Sequence, residues 1–178
     1  MVLSLAAVCA GPAGAPAAPS ALTIVTRDFQ VSRIGPFRAA QNPRLSAAIR
    51  AFGRPSRRKL DGSTCRVEWR GLRLRIAFEN FGLAPPGQTT CTPSVGAAQS
   101  FSARGSRFRT VNGLRVGQPS STIPIKHPDA ERQPAGFWAL VLATYPFGDN
   151  DEPAPVLNAL VMGGRVTAFT GYIGGAGE

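Results

Sequence analysis

The sequence is short of the residues most enzymes rely on. Among 178 residues there are two lysines (Lys59 and Lys126), one histidine (His127) and three cysteines (Cys9, Cys65 and Cys91). Asp and Glu together number 10. With one imidazole and no C-x-x-C pair, a His- or Cys-built zinc site lacks its ligands. A glycosidase needs two carboxylates across a cleft, and the few acids here sit mostly in predicted turns. No G-x-S-x-G elbow, H-E-x-x-H pair or phosphate-binding glycine loop occurs. No apolar run reaches the roughly 20 residues that span a bilayer.

The remaining chemical candidates are weak. His127 lies between Lys126 and Pro128, and Asp129 is too close in sequence to orient it without a helix, so it reads as a surface turn residue. Asp149-Asn150-Asp151-Glu152 offers hard oxygens, but not at the alternate positions around a glycine that a Ca²⁺ loop uses. It reads as an exposed turn. The sequence therefore calls for no metal and no cofactor.

What is present is arginine. Eighteen arginines dominate a net charge of +10. Residues 1–110 hold 16 Lys/Arg and four acids, whereas residues 111–178 hold four and six. A basic first half suggests an anionic partner, or contact with the acidic second half. Residues 1–21 carry no charged side chain, and Ala15-Pro16-Ala17 offers small residues for cleavage. This stretch reads as a secretory signal peptide without the usual basic start. Ala6-Ala7-Val8-Cys9 is near a lipobox, although Val before Cys fits it poorly. Export places the chain outside the cytoplasm, in the medium or the cell envelope. There Cys65 and Cys91 read as a disulfide, the alternative being two free thiols.

Periodicity supplies the elements. Leu22–Val31 reads as a strand. Asn42 and Pro43 predict a helix start, Leu45, Ile49 and Phe52 form its apolar stripe, and Gly53 with Pro55 ends it. The basic run Arg54–Lys59 reads as a solvated loop or a polyanion patch. From Cys65 to Phe78 the chain predicts a hairpin folded at Arg70-Gly71. Cys65, Val67, Trp69, Leu72, Leu74, Ile76 and Phe78 face the core, and Arg66, Arg70, Arg73 and Arg75 face water. Ser100–Thr110 reads as one or two more strands of the same sheet, where Arg107 and Arg109 extend the arginine face. The second half repeats the order: Gly113-Leu-Arg-Val-Gly117 echoes Gly35-Pro-Phe-Arg-Ala39, and Pro124 and Pro128 shorten its helix. The strands Phe137–Thr144, Val156–Met162 and Arg165–Ile173 follow, the last two joined by Gly163-Gly164.

The expected fold is α+β: two tandem repeats, each a short helix packed on an antiparallel β-meander. The expected boundaries are 1–21 for the signal peptide, 22–110 for the first repeat and 111–178 for the second. The glycine-led turn, helix, Phe52-Gly53-Arg54-Pro55 and meander resemble the repeats of the BamE/SmpA-like and β-lactamase-inhibitor-like superfamily of exported bacterial proteins. That resemblance implies a non-enzymatic role in binding other proteins. The leading expectation is a binding or inhibitor-type protein that meets an acidic protein surface or anionic envelope polymer through Arg66, Arg70, Arg73, Arg75, Arg107 and Arg109. Nucleic acid is not expected, because parity turns Trp69 and Phe78 inward, away from the cations, and export removes cytosolic nucleic acid. Two alternatives stay open. One is an assembly protein with a groove between its repeats, and the other an enzyme that unites His127 with Asp149 or Asp151.

Overall fold

Strict alternation over Cys65–Phe78 produces the hairpin at the centre of the fold's first half. The computed structural model describes residues 20–27, 30–80, 82, 84–143 and 153–174. Its elements in chain order are β1 (Leu22–Arg27), β2 (Gln30–Ile34), α1 (Leu45–Phe52), β3 (Arg57–Asp61), β4 (Thr64–Trp69), β5 (Leu74–Glu79) and β6 (Ala97–Ala103). There follow β7 (Phe108–Thr110), α2 (Ile123–Lys126), β8 (Glu131–Arg132), β9 (Phe137–Ala143), β10 (Ala154–Met162) and β11 (Arg165–Tyr172). Of the described residues 48% are in strand and 13% are helical.

The expected α+β pair of repeats is corrected by this architecture. The protein is mostly β and is built on two sheets, one of eight strands in the order β3-β4-β5-β6-β11-β10-β9-β8 and one of three in the order β2-β1-β7. Strands from both halves of the chain meet at β6 and β11, antiparallel, with Phe169 opposite Ala103 and Gly171 opposite Phe101. The second helix is a single turn of four residues. It is too short to cover a meander of its own: Pro124 sits in its first turn and Pro128 follows its C-cap, His127. The three-stranded sheet takes β1 and β2 from the start of the chain and β7 from its middle, with β7 parallel to β1.

One core fills the space between the sheets. Val67, Trp69, Leu74, Ile76 and Phe78 from the large sheet meet Ile24, Ile34 and Phe108 from the small one, with Phe37, Leu45 and Leu114 between them. An antiparallel sheet covered on one side in this way leaves its other side to water. Helix α1 packs through Phe52, whose ring stands edge-on to Trp69 at 5.4 Å and to Phe37 at 6.0 Å. The Trp69 indole donates to Gly53 O at 2.8 Å, so the buried ring satisfies its only polar atom at the helix end. The Cys65–Cys91 disulfide is present and ties β4 to the loop before β6. That loop also holds the helix: Ser46 N donates to Pro93 O at 2.9 Å, and the Arg44 guanidinium donates to Val95 O. In the chain-entropy model, closing a loop of this length stabilises by roughly 3–4 kcal/mol.

Several local expectations are corrected. Leu22–Val31 is not one strand but β1 and the start of β2, which pair antiparallel; residues 28 and 29 between them lie outside the described residues. Helix α1 begins at Leu45 and not at Pro43, because Arg44 pairs with Ala97 in a β-bridge and Pro43 O accepts Ala98 N–H at 2.8 Å. Asn42 still turns the chain, its Oδ1 accepting Arg44 N–H at 3.2 Å. Leu72 belongs to a one-turn 3₁₀ helix, Arg70–Leu72, and not to a strand. The Gly163-Gly164 turn forms as expected, with φ of 57° and 72°. Of the expected signal peptide 1–21, residues 1–19, with the lipobox, lie outside the described residues, as does the acidic run 149–152.

The two sheets come close where Val31 of β2 lies over Gly171 of β11. A Cβ built on Gly171 would stand 2.6 Å from Val156 O, 2.9 Å from the Phe101 ring and 3.2 Å from Val31 Cγ2. One of those atoms is backbone of the neighbouring strand and cannot swing aside. Gly171→Ala should therefore destabilise the fold by about 1–3 kcal/mol, the range for overpacking a filled core. Urea denaturation checks this, and a midpoint equal to wild type would refute the close approach.

Candidate functional site

The uncovered face of the large sheet carries the polar side chains that alternate with the core. Register builds one row across all eight strands. Arg57 stands opposite Glu68, Glu68 opposite Arg75 and Arg75 opposite Ser102; Thr170, Asn158, Ala139 and Glu131 complete the row. The next row runs Lys59, Arg66, Ala77, Ser100 and Tyr172. Arg57, Lys59, Arg66 and Arg75 surround a depression of about 390 Å³ with Ser100 and Ser102 beside them. Glu68 is the one carboxylate lining it.

Glu68 organises the cations. Its side chain is only 22% exposed, and Oε1 accepts from Arg75 Nη2 at 3.3 Å while Oε2 lies 3.9 Å from Arg70 Nε. Arg66 pairs with Asp61 at 3.1 Å at the outer margin. Pairs exposed to this degree contribute about 0–1 kcal/mol each, so they orient the guanidinium groups more than they stabilise the fold. Arg57 and Lys59 make no ion pair among the described residues. The face therefore keeps a net positive field with one fixed negative point inside it.

The six arginines expected on one face divide into three places. Arg66 and Arg75 lie on the open face. Arg70 lies in the 3₁₀ turn at its end, and Arg73 follows at a left-handed φ of 54°, its carbonyl accepting Arg104 N–H at 2.9 Å. Arg107 and Arg109 are not on this face, which corrects the expected ladder. The chain leaves the large sheet after Ala103 and passes Gly105, where a Cβ would meet Leu72 O at 2.5 Å. It then enters the small sheet beside β1. Arg57 and Lys59, read from sequence within a loop, prove to be on strand β3. Every residue of β3 is exposed, so no hydrophobic alternation marked it.

His127 is not a surface residue, and that expectation is corrected too. It is 5% exposed, with Nε2 2.9 Å from Thr110 Oγ1, which also accepts Leu114 N–H at 3.2 Å. The geometry is satisfied when the Thr110 hydroxyl donates to an unprotonated Nε2 of a neutral ring. Desolvation by burial lowers the His127 pKa from 6.5, and a backbone hydrogen bond with Leu140 opposes that in part. The acids proposed to join it, Asp149 and Asp151, lie outside the described residues. The β6–β11 ladder occupies the place of the groove expected between two repeats. Among the described residues no helix is long and apolar enough to cross a membrane. Compared with protein-family models, curated proteins and solved structures, the chain finds no match.

Because burial lowers the His127 pKa in the folded state, the unfolded chain binds its proton first as pH falls. Stability should be at its full value above about pH 6.5 and decline as pH drops through and below that point. His127→Gln should remove that part of the slope, which urea denaturation between about pH 5 and pH 8 would measure. An unchanged slope in the variant would show that His127 does not carry it.

Proposed function

We propose that this is an exported, non-enzymatic binding protein that engages an acidic protein surface through the open face of its large sheet. One observation carries the reading: Arg57, Lys59, Arg66 and Arg75 converge on a single depression whose only acid is Glu68. A fixed pattern of cations around one anion suits a partner with a matching pattern, and complementarity of that kind sets specificity and association rate. Ser100 and Ser102 add hydroxyls that can donate or accept beside the charges.

Two further observations support parts of it. The Cys65–Cys91 disulfide suits an oxidising compartment. His127, turned inward onto Thr110, supports a structural role for the only imidazole.

The test is affinity capture of acidic envelope proteins by the oxidised protein, compared with Arg66→Glu/Arg75→Glu. The reversed pair should retain about tenfold less at low salt, the effect growing weaker as salt screens it. Arg73→Glu, at the turn, should cost much less. Capture unchanged by the reversed pair would overturn the assignment of this face.

A further inference from the structure

A second basic surface lies on the small sheet, and it differs in kind from the first. Leu22, Ile24, Ile34 and Phe108 turn into the core, so the opposite face of β1, β2 and β7 looks outward. Val25 stands opposite Arg33 and Thr23 opposite Arg109, which sets both arginines on that outward face. A β-bridge from Arg109 brings Arg115 alongside. Arg27, Arg33 and Arg38 line one depression of about 490 Å³, and Arg33 with Arg107 lines another of about 550 Å³.

Among the described residues no carboxylate lines either depression and none of these six arginines makes an ion pair. On the large sheet, by contrast, Arg66 and Arg75 each face an acid. Two of the six are held by neutral acceptors. Arg107 donates through Nε and Nη2 to Ser20 O at 3.3 and 3.2 Å, and Arg109 Nε donates to Thr23 Oγ1 at 3.1 Å. Their motion is restricted while their charge stays uncompensated, which lowers the ordering cost of binding an anion. Like charges gathered this way create a single-signed field that concentrates anions without reading a pattern.

Among the described residues the face also lacks what other anionic partners would use. The exposed large apolar side chains, Leu60, Val111, Ile125, Met162 and Tyr172, all lie outside these three strands. The described residues of β1, β2 and β7 expose no apolar wedge for a bilayer and no aromatic platform for stacking bases. We propose that the outward face of the small sheet is a separate binding surface for a linear phosphate-bearing polymer, held through its repeating charge.

The test is binding of labelled inorganic polyphosphate to the full oxidised protein, with affinity followed against salt. Arg33→Glu/Arg38→Glu should weaken binding by at least about tenfold and make the salt dependence shallower by roughly two phosphate contacts. The charge-matched pair Lys126→Glu/Arg132→Glu, on other elements, should change it less than about threefold. Arg33 and Arg38 are exposed, and Arg33→Gln/Arg38→Gln, expected to fall between wild type and the reversed pair, guards against misfolding of the latter. Equal losses in both reversed pairs would mean that net charge alone is responsible, and would overturn the proposal. So would binding of phosphatidylglycerol vesicles or single-stranded DNA about tenfold tighter than polyphosphate per phosphate. Capture of acidic proteins by Arg66 and Arg75 is read out separately, so either surface can fail without the other.

Discussion

The pairing of β6 with β11 is the constraint on which the rest of the structure depends. Residues 100–103 and 169–172 are far apart in sequence, yet their ladder makes one sheet from the strands of both halves. With the ladder in register, Phe101, Gly171 and Phe169 turn to the covered side, and Gly171 leaves room for Val31 to bring the small sheet down. Ser102 and Thr170 turn to the open side and join the row that begins at Arg57, and Ser100 and Tyr172 join the row that begins at Lys59. A shift of one residue would exchange these sets. Core and open polar face are two results of the same register.

The sequence made the local parts of this legible and the long-range parts illegible. Alternation from Cys65 to Phe78, the apolar stripe of α1, the Gly163-Gly164 turn and the disulfide could all be read because each depends on neighbouring residues or on chemistry rare in the chain. The eight-stranded sheet could not, since nothing in Ala97–Ala103 marks Arg165–Tyr172 as its partner. Strand β3 was hidden because its residues are all exposed, and Arg107 and Arg109 were misplaced because a crossover at Gly105 sends them to another sheet. His127 reads from sequence as a turn residue because it lies between Lys126 and Pro128. Its burial against Thr110 depends on β7, which sequence placed in the wrong sheet.

The separation of charge follows from the same architecture. Arginines placed between core residues of the large sheet fall near Asp61 and Glu68, because cross-strand neighbours on that face include both signs. Among the described residues, those of the small sheet stand opposite valine, threonine, glutamine or another arginine and pair with no acid. One protein thus presents a patterned cationic face and an unpatterned one, which suit a protein surface and a charged polymer respectively.

The continuity of the large sheet is tested most directly by unfolding the two halves separately in view. The protein has two tryptophans, Trp69 on β4 and Trp138 on β9, one in each meander. Trp69→Phe and Trp138→Phe each leave a single fluorescent reporter. For each variant, urea unfolding followed by that fluorescence is compared with unfolding of the same variant followed by far-ultraviolet circular dichroism. A sheet closed by β6 and β11 requires the two probes to coincide in both variants. A midpoint seen by one tryptophan that departs from the backbone transition would show two units that unfold independently, and would contradict it.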